Sequence, residues 1–433
     1  MGNKSSMVRE FRNKFSDKIN RHFFFGWVIV GVSSLGIFTS GPGQSHTFSV
    51  FVVPISRELD ISNREWAIAY GLATLIASLL LPRMGKVIDK FGPRISLIYI
   101  VFLLGLSCLF FGAAAHYYML AMGFGFLRFF GQGSLMLGCA NLVSQWFEAK
   151  RGLAMSLMAL GFGISMAFHP PLAHYLIENF GWRAAWFIIG GLSWVLMLPP
   201  IILLVFDKPE DLNLQVDGTT KAKNLQDKTS KEEEIKGLDL RAALRERAFY
   251  ILAFGWFGMA MLITTLHVYQ VIILTAHGHS AQFSAQIFVV SAITMVLFMP
   301  VIGRMFDRFS SHYVIALGMV VTASSLISVT FAITTSLALL YAVIFGLNNA
   351  ISMTMFGYIW PKYFGRRFVG SIQGVGQMVG VFGASCGPLP VAIALDLFGT
   401  TSEVIRLLAI YPTIAGIICI LFLRVPKKLV KQS

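Results

Sequence analysis

Charged residues are scarce in this sequence. Only 13% of its 433 residues are Asp, Glu, Lys or Arg, whereas 56% are hydrophobic. Soluble domains carry roughly 25% charged residues, because their surfaces face water. The scarcity of charge therefore excludes a soluble enzyme or binding domain of ordinary composition. It indicates a chain whose surface faces lipid over most of its area.

Cysteines and the common site motifs are also scarce. The four cysteines lie in apolar runs, without the spacing of a metal site or a redox pair: Cys108, Cys139, Cys386 and Cys419. The sequence has no Walker-type phosphate loop, and its Gly-x-Gly pairs fall inside predicted helices instead of following strands. We therefore expect no cofactor, no metal and no catalytic residue.

Long apolar runs dominate what is present. A helix needs roughly 20 apolar residues to cross a bilayer, and runs of this length satisfy their backbone groups in lipid as helices. We predict an all-α membrane protein with twelve spans, numbered 1 to 12: 24–53, 65–82, 95–114, 117–145, 150–176, 184–206, 248–275, 282–302, 313–333, 335–360, 368–395 and 402–424.

One sequence pattern occurs twice, about half a chain apart. Residues 81–91 and 299–309 both read apolar-Pro-x-x-Gly-basic-x-x-Asp-basic-Phe, and each copy follows a long apolar run. A second, shorter match relates Trp146-Phe147 and its following basic residues to Tyr363-Phe364. Repeats at half length predict two similar six-helix bundles, which is a transporter design.

The positive charges fix the expected topology. The chain has a net charge of +14, and 30 of its 35 Lys and Arg fall in segments that share one side of the membrane if both termini are cytoplasmic. The loops of the other side hold Arg57, Arg64, Arg183 and Arg406. This asymmetry follows the positive-inside rule, so the basic balance concerns the inner leaflet and not nucleic acid.

These observations predict five segments. They are a cytoplasmic N-terminal tail (1–22), a first bundle (23–206), a cytoplasmic linker (207–247), a second bundle (248–425) and a cytoplasmic C-terminal tail (426–433). The linker is polar and carries most of the acidic residues. We expect a solvated connector that is partly disordered at 213–232 and that forms a short surface helix from Glu233 to Arg247.

The sequence resembles the major facilitator superfamily over nearly its whole length. The resemblance rests mainly on Gly85-x-x-x-Asp89-Lys90-x-Gly92-x-Arg94 between spans 2 and 3. It implies that Gly permits close helix packing and that Asp latches the cytoplasmic side, where a carboxylate is stabilised by a helix N-terminus. The gating candidates are Gly85, Asp89, Lys90, Arg94 and, from the second copy, Gly303, Asp307 and Arg308.

Within that superfamily the chain looks most like monocarboxylate and oxalate–formate porters. The shared stretches are Gly26-Trp27, Trp146 to Ala154, Gly161-x-Gly163, Pro170-Pro171-Leu172 and Gly181-Trp182-Arg183-Ala184. The resemblance implies a small organic anion as substrate. Porters of that branch commonly hold the substrate carboxylate with a basic residue in span 8 or 11, and neither span has a Lys or Arg here.

Ionisable residues inside spans are candidates for function because charge is costly in lipid. Arg128 is the only charged residue near the centre of a span. It has two open interpretations: an anchor for an anion, or a structural residue bonded to backbone carbonyls of a neighbouring helix. No Asp or Glu lies deep in a span, since Asp396 falls near the outer end of span 11.

Histidines are the next candidates. His46 follows a Gly-Pro-Gly break in span 1, and His267 occupies the equivalent part of span 7. Because imidazole titrates near neutrality, we expect the two residues to form the pH-responsive part of the site. The alternative is that both bond to neighbouring helices. His169 is a weaker candidate. Further polar cavity candidates are Gln44, Tyr269, Gln270, Asn348, Asn349, Tyr358, Gln373 and Gln377.

The sequence thus predicts a secondary transporter of the inner or plasma membrane that works by alternating access. Its expected partners are a small-molecule substrate, the lipid bilayer and, as one open possibility, protons, with a monomer as functional unit. The alternative is a transporter or exporter of a neutral or amphipathic solute. A membrane-embedded enzyme and a sensor without flux remain as rivals from other classes.

Overall fold

The computed structural model describes residues 19–20, 23–61, 63–218, 237–387, 390–391 and 402–426. Most of both predicted tails, the middle of the linker and Asp396 lie outside the described residues. Nine of the described helices are long enough and apolar enough to cross a membrane. One of these, Arg151–Leu204, is interrupted at Gly181, where φ is +77°, and so supplies spans 5 and 6.

The helices of the first bundle match spans 1 to 6. Span 1 consists of Gly26–Thr39 and Ser45–Leu59, separated by a 3-10 turn at Gly41–Gly43. Spans 2 and 3 are Asn63–Phe91 and Pro93–Gly112. Span 4 is Tyr117–Leu127, a wide π-helical segment Arg128–Leu135, and Met136–Trp146. The Gly-Pro-Gly sequence thus breaks span 1, as the sequence predicts.

The second bundle has the same order of helices. Its spans 7 to 11 are Arg247–Ala276, Ala281–Arg308, Ser311–Thr330, Thr335–Phe364 and Val369–Cys386. Span 12 is Ser402–Leu408 followed by Ile410–Phe422. With the split span 1, the two passes of Arg151–Leu204 and the shorter span 11, the described helices fit the twelve predicted passes.

The two bundles meet along two pairs of spans. Span 11 packs along span 2, and span 8 packs along span 5. We call the end of the molecule where residues 207–218 lie the linker side. Exposed Leu, Ile, Val and Phe side chains lie along most spans, as expected where lipid replaces water around the helices.

The described ends of the linker are folded. Residues 213–218, which the sequence places in a partly disordered stretch, include the 3-10 segment Val216–Gly218. The helix expected before residue 247 is a single turn, Leu240–Ala243, capped by the side chain of Asp239. The isolated bridge between Gly237 and Gly365 joins the end of the linker to the loop between spans 10 and 11.

Candidate functional site

Asp89 contacts the opposite bundle at the linker side. Its carboxylate accepts hydrogen bonds from the backbone N–H groups of Gly370 (2.8 Å) and Ser371 (2.7 Å), and a further one from the hydroxyl of Ser371. These amides belong to the first turn of span 11 and have no partner within the helix. Gly85 makes this approach possible, because a Cβ there would lie 2.1 Å from the carbonyl oxygen of Gly370.

Asp307 makes the equivalent contact in the reverse direction. Its carboxylate accepts from the backbone N–H groups of Gly152 (2.6 Å) and Leu153 (2.9 Å), in the first turn of span 5. A Cβ at Gly303 would lie 2.6 Å from the carbonyl oxygen of Gly152. The repeated motif therefore builds two contacts between the bundles, one in each direction.

The basic residues of the motif act differently from the carboxylates. Arg94 donates from its backbone N–H to Asp207 (2.7 Å) and from its guanidinium to the carbonyl of Ile202 (2.9 Å), so it binds the end of span 6 in its own bundle. Lys90 lies over the ring of Phe91. Within the described ranges neither Lys90 nor Arg308 forms an ion pair.

The linker supplies contacts that the sequence did not predict. Asp217 accepts from three successive backbone N–H groups, those of residues 148, 149 and 150, and one residue separates them from the amides that Asp307 binds. Glu210 pairs with Arg366 of the second bundle at 2.6 Å, and Arg366 also exchanges hydrogen bonds with Gln145 of the first. The folded part of the linker thus contacts both bundles.

Arg128 lies beside the break in span 1. Its Nη1 donates to the carbonyl of Gly43 (2.9 Å), its Nε donates to the hydroxyl of Thr74 (3.1 Å), and its guanidinium lies over the ring of Tyr70. The backbones of Gly43 and Gly131 touch here, since a Cβ on Gly43 would lie 2.8 Å from the Cα of Gly131. These contacts favour the structural interpretation, in which Arg128 satisfies a carbonyl freed by the break.

His46 belongs to a hydrogen-bonded chain with His169. Its Nε2 lies 3.2 Å from the hydroxyl of Ser165, which lies 3.0 Å from Nδ1 of His169. Nδ1 of His169 is also 3.1 Å from the carbonyl of Ser165. A carbonyl only accepts, so this Nδ1 carries the proton, and the serine hydroxyl joins the two imidazole rings because it can both donate and accept. The imidazole of His169 packs against Gly41 at the break, where a Cβ would overlap it.

His267 lies in a different setting, in a pocket between the bundles. Its Nδ1 donates to the carbonyl of Ile263 at 2.9 Å, which leaves Nε2 as an acceptor in the neutral form. The pocket is lined by Phe162 and Met166 from span 5, His267 from span 7, Phe288, Ser291, Ala292 and Met295 from span 8, and Phe345 and Asn349 from span 10. It is narrow in this conformation.

The two histidines do not share one surface. The ring centroid of Phe162 is 5.7 Å from that of His46, and Phe162 also lines the pocket of His267. Phe162 and Ser165 are the residues that sequence reasoning missed. An apolar residue near a Gly-x-Gly pair carries no signal of its own, although the three-residue spacing to Ser165 and the four-residue spacing to Met166 place them on one helix face.

The other polar candidates bond mostly to neighbours inside their own bundles, and the buried Nε2 of Gln270, Nδ2 of Asn348 and Oε1 of Gln373 have no hydrogen-bond partner among the described residues. Asn348 accepts from Thr322, Gln270 accepts from Tyr341, and Tyr358 donates to the carbonyl of Phe306. Gln44 donates to Ser40 and Met136, and Gln373 makes a long 3.5 Å contact with the carbonyl of Gly357. Gln377 and Tyr269 are buried. Of the predicted set, His267 and Asn349 line the pocket between spans 5, 7, 8 and 10, and Arg128 lines a second pocket, between spans 2 and 4 and Val381 of span 11.

Comparisons with known proteins agree on one protein family. A family model described as Major Facilitator Superfamily matches residues 27–388 and 268–433. Monocarboxylate transporter 9 of Mus musculus is 27% identical over 180 residues, which cover 39% of this chain and 33% of the mouse protein. The oxalate:formate antiporter of Oxalobacter formigenes is 25% identical over 187 residues, 41% of this chain and 43% of the antiporter. The chain thus matches about a third of the first of these relatives.

Longer matches exist at lower similarity. An uncharacterized 38 kDa protein of Thermoproteus tenax is 24% identical over 389 residues, 88% of this chain and 90% of that protein. The crystal structure of the human organic anion transporter MFSD10 superposes with a TM-score of 0.66 at 12% identity, covering 91% of this chain and 99% of that one. At this identity the likeness concerns the fold.

Proposed function

Because the chain belongs to the Major Facilitator Superfamily, we propose that it is a secondary transporter that carries a small organic anion together with a proton by alternating access. The two bundles rock about the pocket between spans 5, 7, 8 and 10. Asp89 and Asp307 close the linker side in the conformation described. The resemblance to monocarboxylate and oxalate:formate transporters supports the substrate class.

The polarity of the pocket around His267 carries the proposal. Neutral His267 offers an acceptor at Nε2, and the hydroxyl of Ser291 donates to backbone carbonyls at 2.9 and 3.1 Å. Asn349 uses one N–H on the carbonyl of Phe345 at 2.8 Å, so its second N–H is the donor left among the described lining residues. An anion therefore gains a positive partner here only when a proton arrives at Nε2 of His267.

Arg128 does not supply the positive charge that an anion needs in the pocket of His267. Its Nε and Nη1 are engaged by Thr74 and Gly43 within the first bundle. The nearest part of the first bundle that carries an ionisable group is reached through Phe162, which lines the pocket and contacts His46 of span 1, and Nε2 of His46 is hydrogen-bonded to Ser165. On the described parts of spans 8 and 10 near the pocket, the lining side chains are uncharged. Binding of the anion and of the proton is thereby linked.

Proton-coupled uptake into proteoliposomes tests the proposal. The wild type should take up labelled organic acids faster when the outside is acidified between about pH 8 and 5, where imidazole titrates, and the lumen should acidify with uptake. His267→Gln should lose this stimulation. His174→Gln is the matched control, because that exposed histidine lies on span 5 and pairs with Glu178.

Four results would contradict the proposal. Uptake of an anion with the same pH profile in wild type and His267→Gln would place the coupling elsewhere or show an uncoupled carrier. Transport of a neutral or amphipathic solute, with no organic acid carried, would establish the second candidate, which the absence of Lys and Arg among the pocket residues favours. Turnover of a substrate without flux would indicate an enzyme, and binding without either a sensor.

The proposal also covers the membrane, the orientation in it and the functional unit. We place the protein in the inner or plasma membrane, with the linker side cytoplasmic, because 30 of the 35 Lys and Arg then lie inside. The two bundles enclose the pocket within one chain, so the proposed functional unit is a monomer. The segment limits 23–206 and 248–425 are part of the same proposal.

A further inference from the structure

The pocket around His267 has an unusual lining for an anion carrier. Five of its nine lining residues are Phe or Met: Phe162, Met166, Phe288, Met295 and Phe345. The centroid of the His267 ring lies 4.8 Å from that of Phe345 and 5.9 Å from that of Phe288, with the latter pair nearly parallel. The group that would carry the positive charge is therefore held among aromatic rings.

The polar lining residues all come from one bundle, whereas the apolar lining residues come from both. All three polar lining residues, His267, Ser291 and Asn349, belong to the second bundle, whereas the first bundle contributes Phe162 and Met166. A ligand that spans the pocket thus meets both polar and apolar side chains on the second bundle and only apolar side chains on the first. Because the two surfaces are on separate bundles, rocking of the bundles widens the pocket, and the unbranched Met side chains adapt to its contents.

This division restricts the ligand. A carboxyl group near His267 leaves the rest of the molecule against Phe162 and Met166. A second carboxylate at that end would be buried without a donor, which is strongly unfavourable. An acid with no apolar body would leave the rings uncovered, whereas each buried methylene improves affinity about fourfold.

Resting on the function proposed above, we propose that this pocket selects monocarboxylates with an apolar body, such as phenyl or branched-alkyl acids. The carboxyl group points toward His267 and the apolar body lies against Phe162 and Met166. Dicarboxylates and the smallest acids are poor substrates.

Competition for uptake of labelled phenylacetate into proteoliposomes tests this selectivity. Acetate, butyrate and hexanoate should inhibit with affinities that rise about fourfold per added methylene until the pocket is filled, and malonate should inhibit weakly. Phe162→Ala and Phe288→Ala should reduce the preference for phenylacetate over acetate at least tenfold. Phe162→Leu, which keeps the apolar volume closer, should lose less.

Two exposed phenylalanines provide controls outside the pocket. Phe180 lies at the end of span 5 and Phe298 lies on span 8, with 57% and 41% of their surfaces exposed. Phe180→Ala and Phe298→Ala should keep the wild-type preference. The proposed selectivity is wrong if acetate or malonate is transported as efficiently as phenylacetate, or if Phe162→Ala keeps the wild-type preference. Either result leaves the proposed anion transport intact. If no acid of the series is carried, the proposed function fails as well.

Discussion

Asp89 and Asp307 bind the same two positions of equivalent helices in opposite bundles. Asp89 of the first bundle accepts from the second and third residues of span 11, and Asp307 of the second bundle accepts from the second and third residues of span 5. Each carboxylate satisfies amides that the helix itself leaves open and lies at the positive end of the helix dipole. The linker side is therefore held by a reciprocal pair of caps.

Asp89→Asn should weaken this closure. The amide keeps one acceptor oxygen but loses the charge, and a capping contact is worth about 1 kcal/mol. Transport should fall sharply while insertion persists, and the amides of Gly370 and Ser371 should exchange hydrogen for deuterium faster. Asp307→Asn should have a smaller effect, because Asp307 lacks the extra hydroxyl partner. Asp211→Asn is the control, since Asp211 accepts within its own turn. Unchanged transport at normal expression would rule out the gating role of Asp89.

Ser371→Ala isolates one of the three bonds to Asp89. The substitution removes the hydroxyl and leaves both backbone amides in place. Transport and the exchange rate at Gly370 should change in the same direction as in Asp89→Asn, but less. Ser385→Ala, on the same helix, removes a hydroxyl that bonds only the carbonyl of Phe382 and should leave both unchanged. An effect of Ser371→Ala that persists in the Asp89→Asn background would show that the hydroxyl acts by another route.

Arg128→Gln should reduce stability more than it reduces binding. Hydrogen bonds to charged groups are worth about 1.5–3 kcal/mol, and the substitution removes those to Gly43 and Thr74. Thermal unfolding in detergent should show a clear loss, and Arg128→Lys should lose less because an ammonium can reach one of the two partners. If Arg128→Gln unfolds like the wild type but no longer binds organic acids, Arg128 is the anion anchor and the structural interpretation fails.

Glu58 should make stability depend on pH at the side opposite the linker. It lies in the last turn of the helix Ser45–Leu59, five residues beyond the predicted membrane-spanning part 24–53, and its carboxylate accepts from the indole of Trp182 and pairs with Arg183 at 2.9 Å. The hydrogen bond from Trp182, and then Arg183, lower the pKa of Glu58 below its ordinary value of 4.5. A lowered pKa stabilises the fold above the unfolded value, and this contribution disappears as the pH falls through the folded value.

The melting temperatures of wild type and Glu58→Gln, compared over a range of pH, test this contribution of Glu58. Melting temperatures should differ at pH 7 and converge as the pH falls below about 4. The difference should be modest, because the pair is partly exposed. A difference that is equally large in strong acid would assign the effect of Glu58 to packing and not to its charge.

Several site features followed from the sequence for simple physical reasons. The repeated motif at 81–91 and 299–309 predicted Asp89 and Asp307 as paired gating residues, because a carboxylate at the end of one helix needs donors that a helix N-terminus supplies. The Gly-Pro-Gly of span 1 predicted the break. The partners of the caps, Gly370, Ser371, Gly152 and Leu153, could not be read from the sequence, since they are defined by which helices of the two bundles meet.

The surroundings of His46 and His267 show most clearly what the sequence could not predict. The two residues occupy equivalent stretches of spans 1 and 7, yet Nε2 of His46 is hydrogen-bonded to Ser165, whereas His267 lines a pocket rich in aromatic residues. The folded linker contacts through Asp217 and Glu210 are a second case, because their residues look like a solvated connector in the sequence.

The sequence by itself determined the membrane class, the two-bundle repeat and the positions of the charged caps, because the length of apolar runs and the placement of charge depend on the bilayer alone. The tertiary structure decided which polar groups are already satisfied and which remain open. That distinction depends on neighbours from other helices, and for Arg128, Asn348 and His46 those neighbours lie 26 to 119 residues away along the chain.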